Sequence, residues 1–277
     1  MSDANPVVSV CIPTYKGAST IGAAIDSVLA QSFGDFELIV IDDGSPDETP
    51  AVVTARTDRR LRLLRNPKNL GPEGNWNRCL ELARGEYVKL LPHDDLLHPN
   101  CLERQVKVLA DDLEHRIALV FCSRDVIGPD GRVLLRARGF PGAPEGPLSR
   151  AEVIHQCLRR GTNLIGEPGA VFFRRELAQR VGSFDARHPY VIDLEYWLRL
   201  LECGQAWYCD EALASFRVWR GSWSVAIGTR QSAEFSGLMD EVLQRGGLTL
   251  NPWQRARGRL MPWINGVARQ AFYRLFV

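Results

Sequence analysis

The sequence predicts an α/β fold, with a mostly parallel sheet flanked by helices and a C-terminal helical extension. Two observations support this prediction. Over the first 125 residues, short apolar runs of strand length alternate with helical segments that carry one apolar face. Apolar residues make up 45% of the 277-residue chain, so it can bury the strands of a sheet that is covered on both faces.

The elements predicted in the first half follow one another in a regular order. Ser19 is a suitable N-cap for the first helix. A helix is also expected over Asn75–Ala83. Another is expected from Pro99 onward, because proline is favoured in the first turn of a helix. Right-handed crossovers bring the carboxyl ends of parallel strands to one edge of the sheet. Five apolar runs are the expected strands: Val7–Ile12, Phe36–Ile41, Leu61–Leu64, Tyr87–Leu91 and Ile117–Cys122.

The pattern becomes less regular after residue 125. Gly128–Arg132 is typical of a hairpin turn. A strand is expected over Gly166–Arg174, with Glu167 near its start. An amphipathic helix is expected over Asp193–Gly204, where the glycine ends it. Tyr208–Trp219 predicts one or two further strands.

Three predicted turns lie at the carboxyl edge of the sheet: Pro13–Tyr15, Asp42–Ser45 and His93–Asp95. Ligands of open α/β sheets bind at this edge. Carboxylates there are suitable ligands for a divalent cation, which often keeps a substrate diphosphate as a partner. Each acid alone has an ordinary explanation, because carboxylates also cap helices and form Asx turns. Two acid-bearing turns on one rim are harder to explain by capping, and they predict a ligand site.

Four blocks of the sequence, in this order, resemble the family 2 glycosyltransferases, which have the GT-A fold. The first block is VSVCIPTYKGASTIGAAIDSVLAQSF followed by FELIVIDDGSPDET, which resembles the start of the family's sequences. The second is ARGEYVKLLPHDDLLHP, which resembles the family's metal-binding strand and turn. Its acceptor-side half is similar to GEPGAVFFRRELAQRVGSFD and DLEYWLRLLECG. The resemblance implies a nucleotide-sugar-binding half (1–125), an acceptor-binding and catalytic-base half of the same domain (126–225) and a C-terminal helical extension (226–277).

The resemblance also implies roles for individual residues. Asp94 and Asp95 would hold a divalent metal, Mn²⁺ or Mg²⁺, which offsets the charge of the leaving diphosphate. Asp193, rather than Glu195 in the same helical turn, would deprotonate the acceptor hydroxyl. Glu167 is an acceptor-side candidate. The residues expected to bind the donor are Pro13, Thr14, Tyr15, Asp43, Asp94 and Asp95, with Asp43 accepting from the imide N–H of the base.

Three positions depart from the family pattern. Pro92 stands where the family usually has the first acid of its metal motif, and Ile192 replaces a glutamate that often precedes the base. Trp219, the other acceptor-side candidate, stands where a metal-proximal histidine is common. Its indole N–H can only donate, so we expect Trp219 to pack near the donor diphosphate without binding the metal. The alternative is a core tryptophan at a strand end.

These features predict an inverting, metal-assisted transfer of a sugar from a UDP- or dTDP-sugar to a hydroxyl of a glycan or lipid-linked acceptor. One alternative is a nucleotidyltransferase of similar fold, which should have a glycine- and basic-rich loop where this chain has only Lys16 and Gly17. The other is a non-catalytic nucleotide-sugar-binding domain, which should lack slow donor hydrolysis. The net charge of +1 gives no general attraction to nucleic acid.

The seven scattered cysteines and the polar start of the chain favour a cytoplasmic protein without a signal peptide. The tail from Val242 onward holds six arginines and no acidic residue. The tail is expected to form a basic amphipathic helix. The favoured interpretation is that this helix packs on the catalytic domain or on a second subunit of a homodimer. The alternative is that it lies on the inner face of the membrane through residues 251–277. Its apolar stripe, opposite Arg269, is Leu260, Trp263, Ile264, Val267, Ala268, Ala271 and Leu275.

Overall fold

The structure is a computed structural model in which residues 5–221, 230–245 and 250–276 are described, with side chains up to residue 273 in the last helix. The strands are β1 (Val8–Thr14), β2 (Phe36–Asp42), β3 (Leu61–Arg65), β4 (Tyr87–Leu90), β5 (Leu96–Leu97), β6 (Ile117–Ile127), β7 (Val133–Arg138), β8 (Gly146–Leu148), β9 (Val171–Arg174) and β10 (Gln205–Arg217). The helices are α1 (Ile21–Leu29), α2 (Thr49–Thr54), α3 (Gly71–Leu82), α4 (Cys101–Asp111), α5 (Arg150–Arg160), α6 (Arg175–Val181), α7 (Ile192–Leu200), α8 (Gln231–Gln244) and α9 (Pro252–Phe276).

The described strands form one mixed sheet with the order β3-β2-β1-β4-β9-β6-β10-β5, while β7 pairs with β6 and β8 with β10. The strands from β3 to β4 are parallel to one another, as are β6 and β10. β9 runs antiparallel to β4 and β6 and joins the two parallel parts. The predicted α/β fold with a mostly parallel sheet is confirmed.

Helices cover both faces of this sheet. Residues on alternating sides of each strand enter two separate apolar clusters, as the two-residue repeat of a strand requires. One cluster lies against α1, α2 and α4, and the other against α3, α5, α7 and α8. A sheet buried on both faces explains why the strand sequences are continuously apolar.

Several boundaries differ from those predicted. α3 begins at Gly71 rather than Asn75, because Pro72 lies in its first turn. Contrary to the prediction, Ser19 is not the N-cap of α1. The N-cap position is Thr20, and the Thr20 side chain makes no capping hydrogen bond. Residues 168–170 form a 3-10 turn, so β9 begins only at Val171.

The two predicted halves share one strand, because the boundary at 125/126 falls inside β6. β6 continues to Ile127 and then turns through Gly128, whose N–H donates to the carbonyl of Arg132 (2.8 Å), as expected for the hairpin. The predicted boundary at 225/226 lies outside the described residues.

The C-terminal helix α9 packs against α5 and α8, but not through its apolar stripe. The stripe residues Leu260, Trp263 and Val267 are 55%, 62% and 53% exposed. The opposite face is docked, and Asn265 donates from Nδ2 to the carbonyl of Gly161 (3.1 Å). Gly161 has a φ of +65°, and a Cβ there would lie 2.4 Å from the backbone nitrogen of Pro262, so only glycine permits this approach. The helix therefore packs on the catalytic domain, one of the two surfaces expected for it, but through the face opposite its apolar stripe.

Candidate active site

The predicted site residues meet in one cleft at the carboxyl edge of the sheet. The cleft has a volume of about 1090 Å³. Its walls come from the turns after β1, β2 and β4, from the segment before α7, and from α8 and α9. The residues predicted from the sequence that line it are Pro13, Thr14, Tyr15, Asp43, Asp94, Asp95, Glu167, Asp193 and Trp219.

Hydrogen bonds donated by backbone N–H groups hold the first two turns together at the rim. The N–H of Asp43 donates to the carbonyl of Thr14 (2.8 Å), and the N–H of Lys16 donates to Ser45 Oγ (2.9 Å). Tyr15 is 40% exposed beside them. The Thr14 side chain is buried, and its Oγ1 has no hydrogen-bond partner in the described part of the chain. A buried hydroxyl without a partner on a cleft wall is a feature that a ligand can satisfy.

Asp43 anchors the loop before α3. Its carboxylate accepts from Asn66 Nδ2 (2.6 Å) and from the backbone N–H groups of Leu70 (2.9 Å to Oδ1) and Gly71 (2.9 Å to Oδ2). These donors lie 23–28 residues away, so the side chain does not form a local Asx turn. Three donors leave about one of the four acceptor positions of a carboxylate for a ligand.

The acidic turn after β4 is tied to the end of β10. Asp94 Oδ2 accepts from the indole N–H of Trp219 (2.8 Å). Asp95 is almost fully buried, and its Oδ1 accepts from the backbone N–H of Arg217 (2.8 Å). The Arg217 guanidinium donates to the carbonyl of Asp94 (2.8 Å). Trp219 is half-buried on the cleft wall rather than a core residue, and its N–H is held by a carboxylate.

Asp193 lies in the first turn of α7 and is oriented by a side chain outside the helix. Asn163 Nδ2 donates to its Oδ2 (3.1 Å), and the N–H of Leu194 donates to its Oδ1 (2.7 Å). The N-cap position of α7 is Val191, so Asp193 does not simply cap the helix. Burial, followed by the nearby charge of Glu167, raises the pKa of Asp193 to about 7, although these hydrogen bonds and Arg124 oppose the shift.

Glu167 is paired within the cleft wall. Its Oε2 accepts from Arg124 Nε at 2.5 Å, and the Arg124 side chain is only 12% exposed. Arg124 also donates to the carbonyl of Arg138 (3.1 Å), which fixes its direction. The pair places one negative and one positive charge beside Asp193, and the negative one acts on its pKa more strongly.

Glu195, the other acid in the first turn of α7, does not line the cleft. It is buried and paired with Arg199 (2.8 Å), whose guanidinium also donates to the carbonyls of Val181 (2.8 Å) and Ser183 (2.7 Å). This arrangement joins α7 to the segment after α6. Glu195 therefore has a structural partner set, whereas Asp193 faces the cleft.

Sequence reasoning missed the residues that orient the predicted carboxylates: Asn66, Arg124, Asn163 and Arg217. An arginine inside a strand is a weak signal for a buried ion pair, since lysine and arginine are rarely buried without a partner. Neither asparagine carries a recognisable motif. Their roles depend on partners 23 or more residues away, such as the 30 residues between Asn163 and Asp193.

The chain is similar to known glycosyltransferases in sequence. Residues 9–182, more than half of the chain, match the family model described as "Glycosyl transferase family 2". The succinoglycan biosynthesis protein ExoO of Rhizobium meliloti (strain 1021) is 35% identical over 206 residues, which cover 73% of this chain and 58% of ExoO. The chain thus spans less than two thirds of that relative.

Two solved structures have the same fold. S. aureus TarS 1-349 in complex with UDP-GlcNAc matches with a TM-score of 0.68 and 19% identity, over 94% of this chain and 72% of TarS. The mannosyltransferase PcManGT from Pyrobaculum calidifontis in complex with GDP-Man and Mn²⁺ matches with a TM-score of 0.63 and 20% identity, over 99% of this chain and 82% of that one. The family match over residues 9–182 favours glycosyl transfer over the nucleotidyl transfer that the sequence left open. The chain belongs to glycosyltransferase family 2 and has its GT-A fold.

Proposed function

We propose that the chain transfers a sugar, with inversion, from a UDP- or dTDP-sugar to a hydroxyl of a glycan or lipid-linked acceptor. One observation carries this proposal: an oriented carboxylate for a metal, Asp94, and an oriented carboxylate for a proton, Asp193, line the same cleft. The name of the relative ExoO, a succinoglycan biosynthesis protein, supports a role in polysaccharide biosynthesis.

The donor nucleotide would lie on the β1 and β2 turns. Its base would pack beside Pro13 and Tyr15, and its imide N–H would donate to the acceptor position that remains on Asp43. The unpartnered hydroxyl of Thr14 would bond the nucleotide as well. The UDP-GlcNAc bound in the TarS complex supports a uridine nucleotide as the donor of this chain, although the fold also binds GDP-Man in PcManGT.

The acidic turn fits a divalent metal, Mn²⁺ or Mg²⁺. In the described residues no group of three or more His, Cys, Asp or Glu could hold a metal ion by itself. Mg²⁺ sites often use one or two carboxylates together with substrate phosphates and water, and Asp94 and Asp95 supply these carboxylates. Asp94 would make the direct contact, while the nearly buried Asp95 would support it. When bound, the metal neutralises charge that develops on the leaving diphosphate.

Asp193 would act as the general base. It would take the proton of the acceptor hydroxyl as that oxygen attacks the anomeric carbon. The bond from the anomeric carbon to the diphosphate breaks, and the nucleoside diphosphate leaves with the electron pair. Glu167, held by its ion pair with Arg124, would contact the acceptor. Trp219 would orient Asp94 and cover the diphosphate.

Thermal denaturation with candidate donors tests the function. A UDP- or dTDP-sugar with Mn²⁺ or Mg²⁺ is expected to raise the Tm by several degrees, because a ligand at a hundredfold excess over its Kd stabilises the folded state by about 2.7 kcal/mol. Slow hydrolysis of the stabilising donor distinguishes an enzyme from a non-catalytic binding domain. The absence of a shift with every nucleotide-sugar would contradict the proposal.

We further propose that the exposed stripe of α9 lies on an anionic membrane surface at the inner face of the membrane. Trp253, Leu260, Trp263, Ile264 and Val267 are exposed on α9. The same helix carries the exposed arginines Arg255, Arg257 and Arg259, α5 ends on exposed Arg159 and Arg160, and the tail has no acid. An apolar stripe on a helix whose charged residues are all basic matches anionic lipid in both chemistry and charge. No helix in the described ranges is long and apolar enough to cross a membrane.

Flotation with liposomes tests this surface. The double variant Trp253→Ser/Trp263→Ser should lose about tenfold or more of its partition to anionic liposomes at low salt, because two large apolar side chains no longer enter the interface. Leu113→Ser is the control, since Leu113 is 87% exposed but far from α9 in sequence. Equal flotation of all three proteins would contradict the membrane contact, and self-association that only the double variant loses would favour a homodimer.

A further inference from the structure

Arg269 of α9 points into the cleft from the docked face of the helix. Its Nη1 donates to Gln231 Oε1 at 2.5 Å, and its Nη2 is 3.4 Å from Thr162 Oγ1. Its guanidinium carbon lies 5.4 Å from the centroid of the Tyr190 ring. Arg269 and these three neighbours all line the cleft.

All the close partners of this cation are neutral. Within the part of the chain that the structure describes, no carboxylate lies at ion-pair distance from Arg269. The side chain is largely buried, and burial lowers the pKa of Arg269. A buried charge without an ionic partner is costly, and a guanidinium has five N–H donors, of which two are used here. Three donors therefore remain for another group.

The remaining donors are on the acceptor side. Thr162 directly precedes Asn163, which holds Asp193 (3.1 Å), and Tyr190 belongs to the 3-10 turn that leads into α7. Glu167 acts electrostatically on both Arg269 and Asp193. The donor-side acids, Asp94 and Asp95, instead contact Trp219 and Arg217.

We propose that Arg269, positioned by Gln231 and Thr162 and stacked on Tyr190, binds an oxyanion of the acceptor. A guanidinium binds phosphate and carboxylate through the same pair of parallel N–H bonds, so a phosphate ester and a sugar acid are the two sources of this chemistry. That the bound group is the acceptor rests on the proposed glycosyl transfer. That it is an anion rests on the contacts of Arg269 alone.

Calorimetric titration tests the site with the donor site filled. Inorganic phosphate and glucuronate are titrated separately into the full chain with saturating UDP and Mg²⁺. One of them is expected to bind the wild type, and Arg269→Gln should weaken that binding by about ten- to a hundredfold, the usual effect of hydrogen bonds to a charged group. Phosphate binding identifies a phosphate ester, and glucuronate binding identifies a sugar acid.

Two further variants separate anion binding from a structural role. Arg180→Gln makes the same change at an exposed position on α6, outside the residues that line the cleft, and should bind the anion normally. Gln231→Glu places a carboxylate on the atom that already contacts Arg269, so it should raise the Tm and yet lose the anion by competition. A merely structural Arg269 predicts unchanged binding in the Gln231→Glu variant, which also remains informative if Arg269→Gln does not fold.

The outcomes are distinct for the two proposals. No binding of either anion to the wild type, or equal binding by Arg269→Gln, overturns the site. Loss of UDP binding in Arg269→Gln also overturns it, because the arginine then serves the donor. If the wild type binds no nucleotide-sugar but still binds phosphate through Arg269, the glycosyl transfer fails and the anion site stands.

Discussion

Replacing Asp193 by Asn is expected to slow sugar transfer by about a hundred- to ten-thousandfold, the usual contribution of a general base, with donor binding nearly unchanged. Asn keeps the size of the side chain and, with its one carbonyl oxygen, one of the two hydrogen bonds accepted from Asn163 and Leu194, but it cannot take the acceptor proton at pH 7. Steady-state transfer assays and donor titrations on the same preparations measure the two effects.

The pH profile gives this prediction a second readout. Because the pKa of Asp193 is raised to about 7, the carboxyl is protonated below that pH and is a base only above it. The transfer rate should therefore rise as pH increases through about 7, and donor binding should not follow this rise. A rate that is flat from pH 5.5 to 8.5, on the order of three pH units around that pKa, would contradict the assignment.

Glu195→Gln is the matched control for Asp193→Asn. It removes the ion pair with Arg199 (2.8 Å), so the expected effect is lower stability, with the proposed base, Asp193, unchanged. Breaking a buried pair costs about 3–5 kcal/mol, which a denaturation curve detects. If the folded Glu195→Gln protein is the inactive one and Asp193→Asn transfers normally, the base has been assigned to the wrong residue.

Replacing Asp94 by Asn is expected to remove most of the metal-dependent turnover, by about a hundredfold or more, because this carboxylate is the proposed direct contact to the metal. Excess chelator should reduce the wild type to a similar rate. Titration of Mn²⁺ or Mg²⁺ against the initial rate measures the effect in both proteins.

Trp219→Phe is expected to have a smaller effect than Asp94→Asn and provides a second test of the metal site. It keeps an aromatic ring but removes the N–H that donates to Asp94 Oδ2 (2.8 Å). Loss of a group that orients a metal ligand typically weakens metal affinity about ten- to a hundredfold, so excess metal should restore the rate of Trp219→Phe but not that of Asp94→Asn. Full activity of Asp94→Asn, or undiminished wild-type activity in chelator, would show that the reaction needs no metal at this turn.

The sequence by itself determined the sheet and the position of the cleft. Continuous apolar runs such as Phe36–Ile41 indicate strands buried on both faces, and right-handed crossovers place their following turns on one edge. Both arguments use local pattern and chirality, which do not depend on distant partners. Asp43, Asp94 and Asp193 were identified in this way, together with the family resemblance, and all three line the cleft.

Only the tertiary structure decided how those residues are held and which face of α9 is docked. Trp219 bonds Asp94 across 125 residues of sequence, and Asn163 bonds Asp193 across 30. The helical spacing of α9 separates the stripe from Arg269 but does not say which side meets the domain. The narrow approach at Gly161 and the polar partners of Asn265 and Arg269 select the less apolar side. Periodicity records the composition of a surface, whereas docking depends on the shape and hydrogen bonding of the surface it meets.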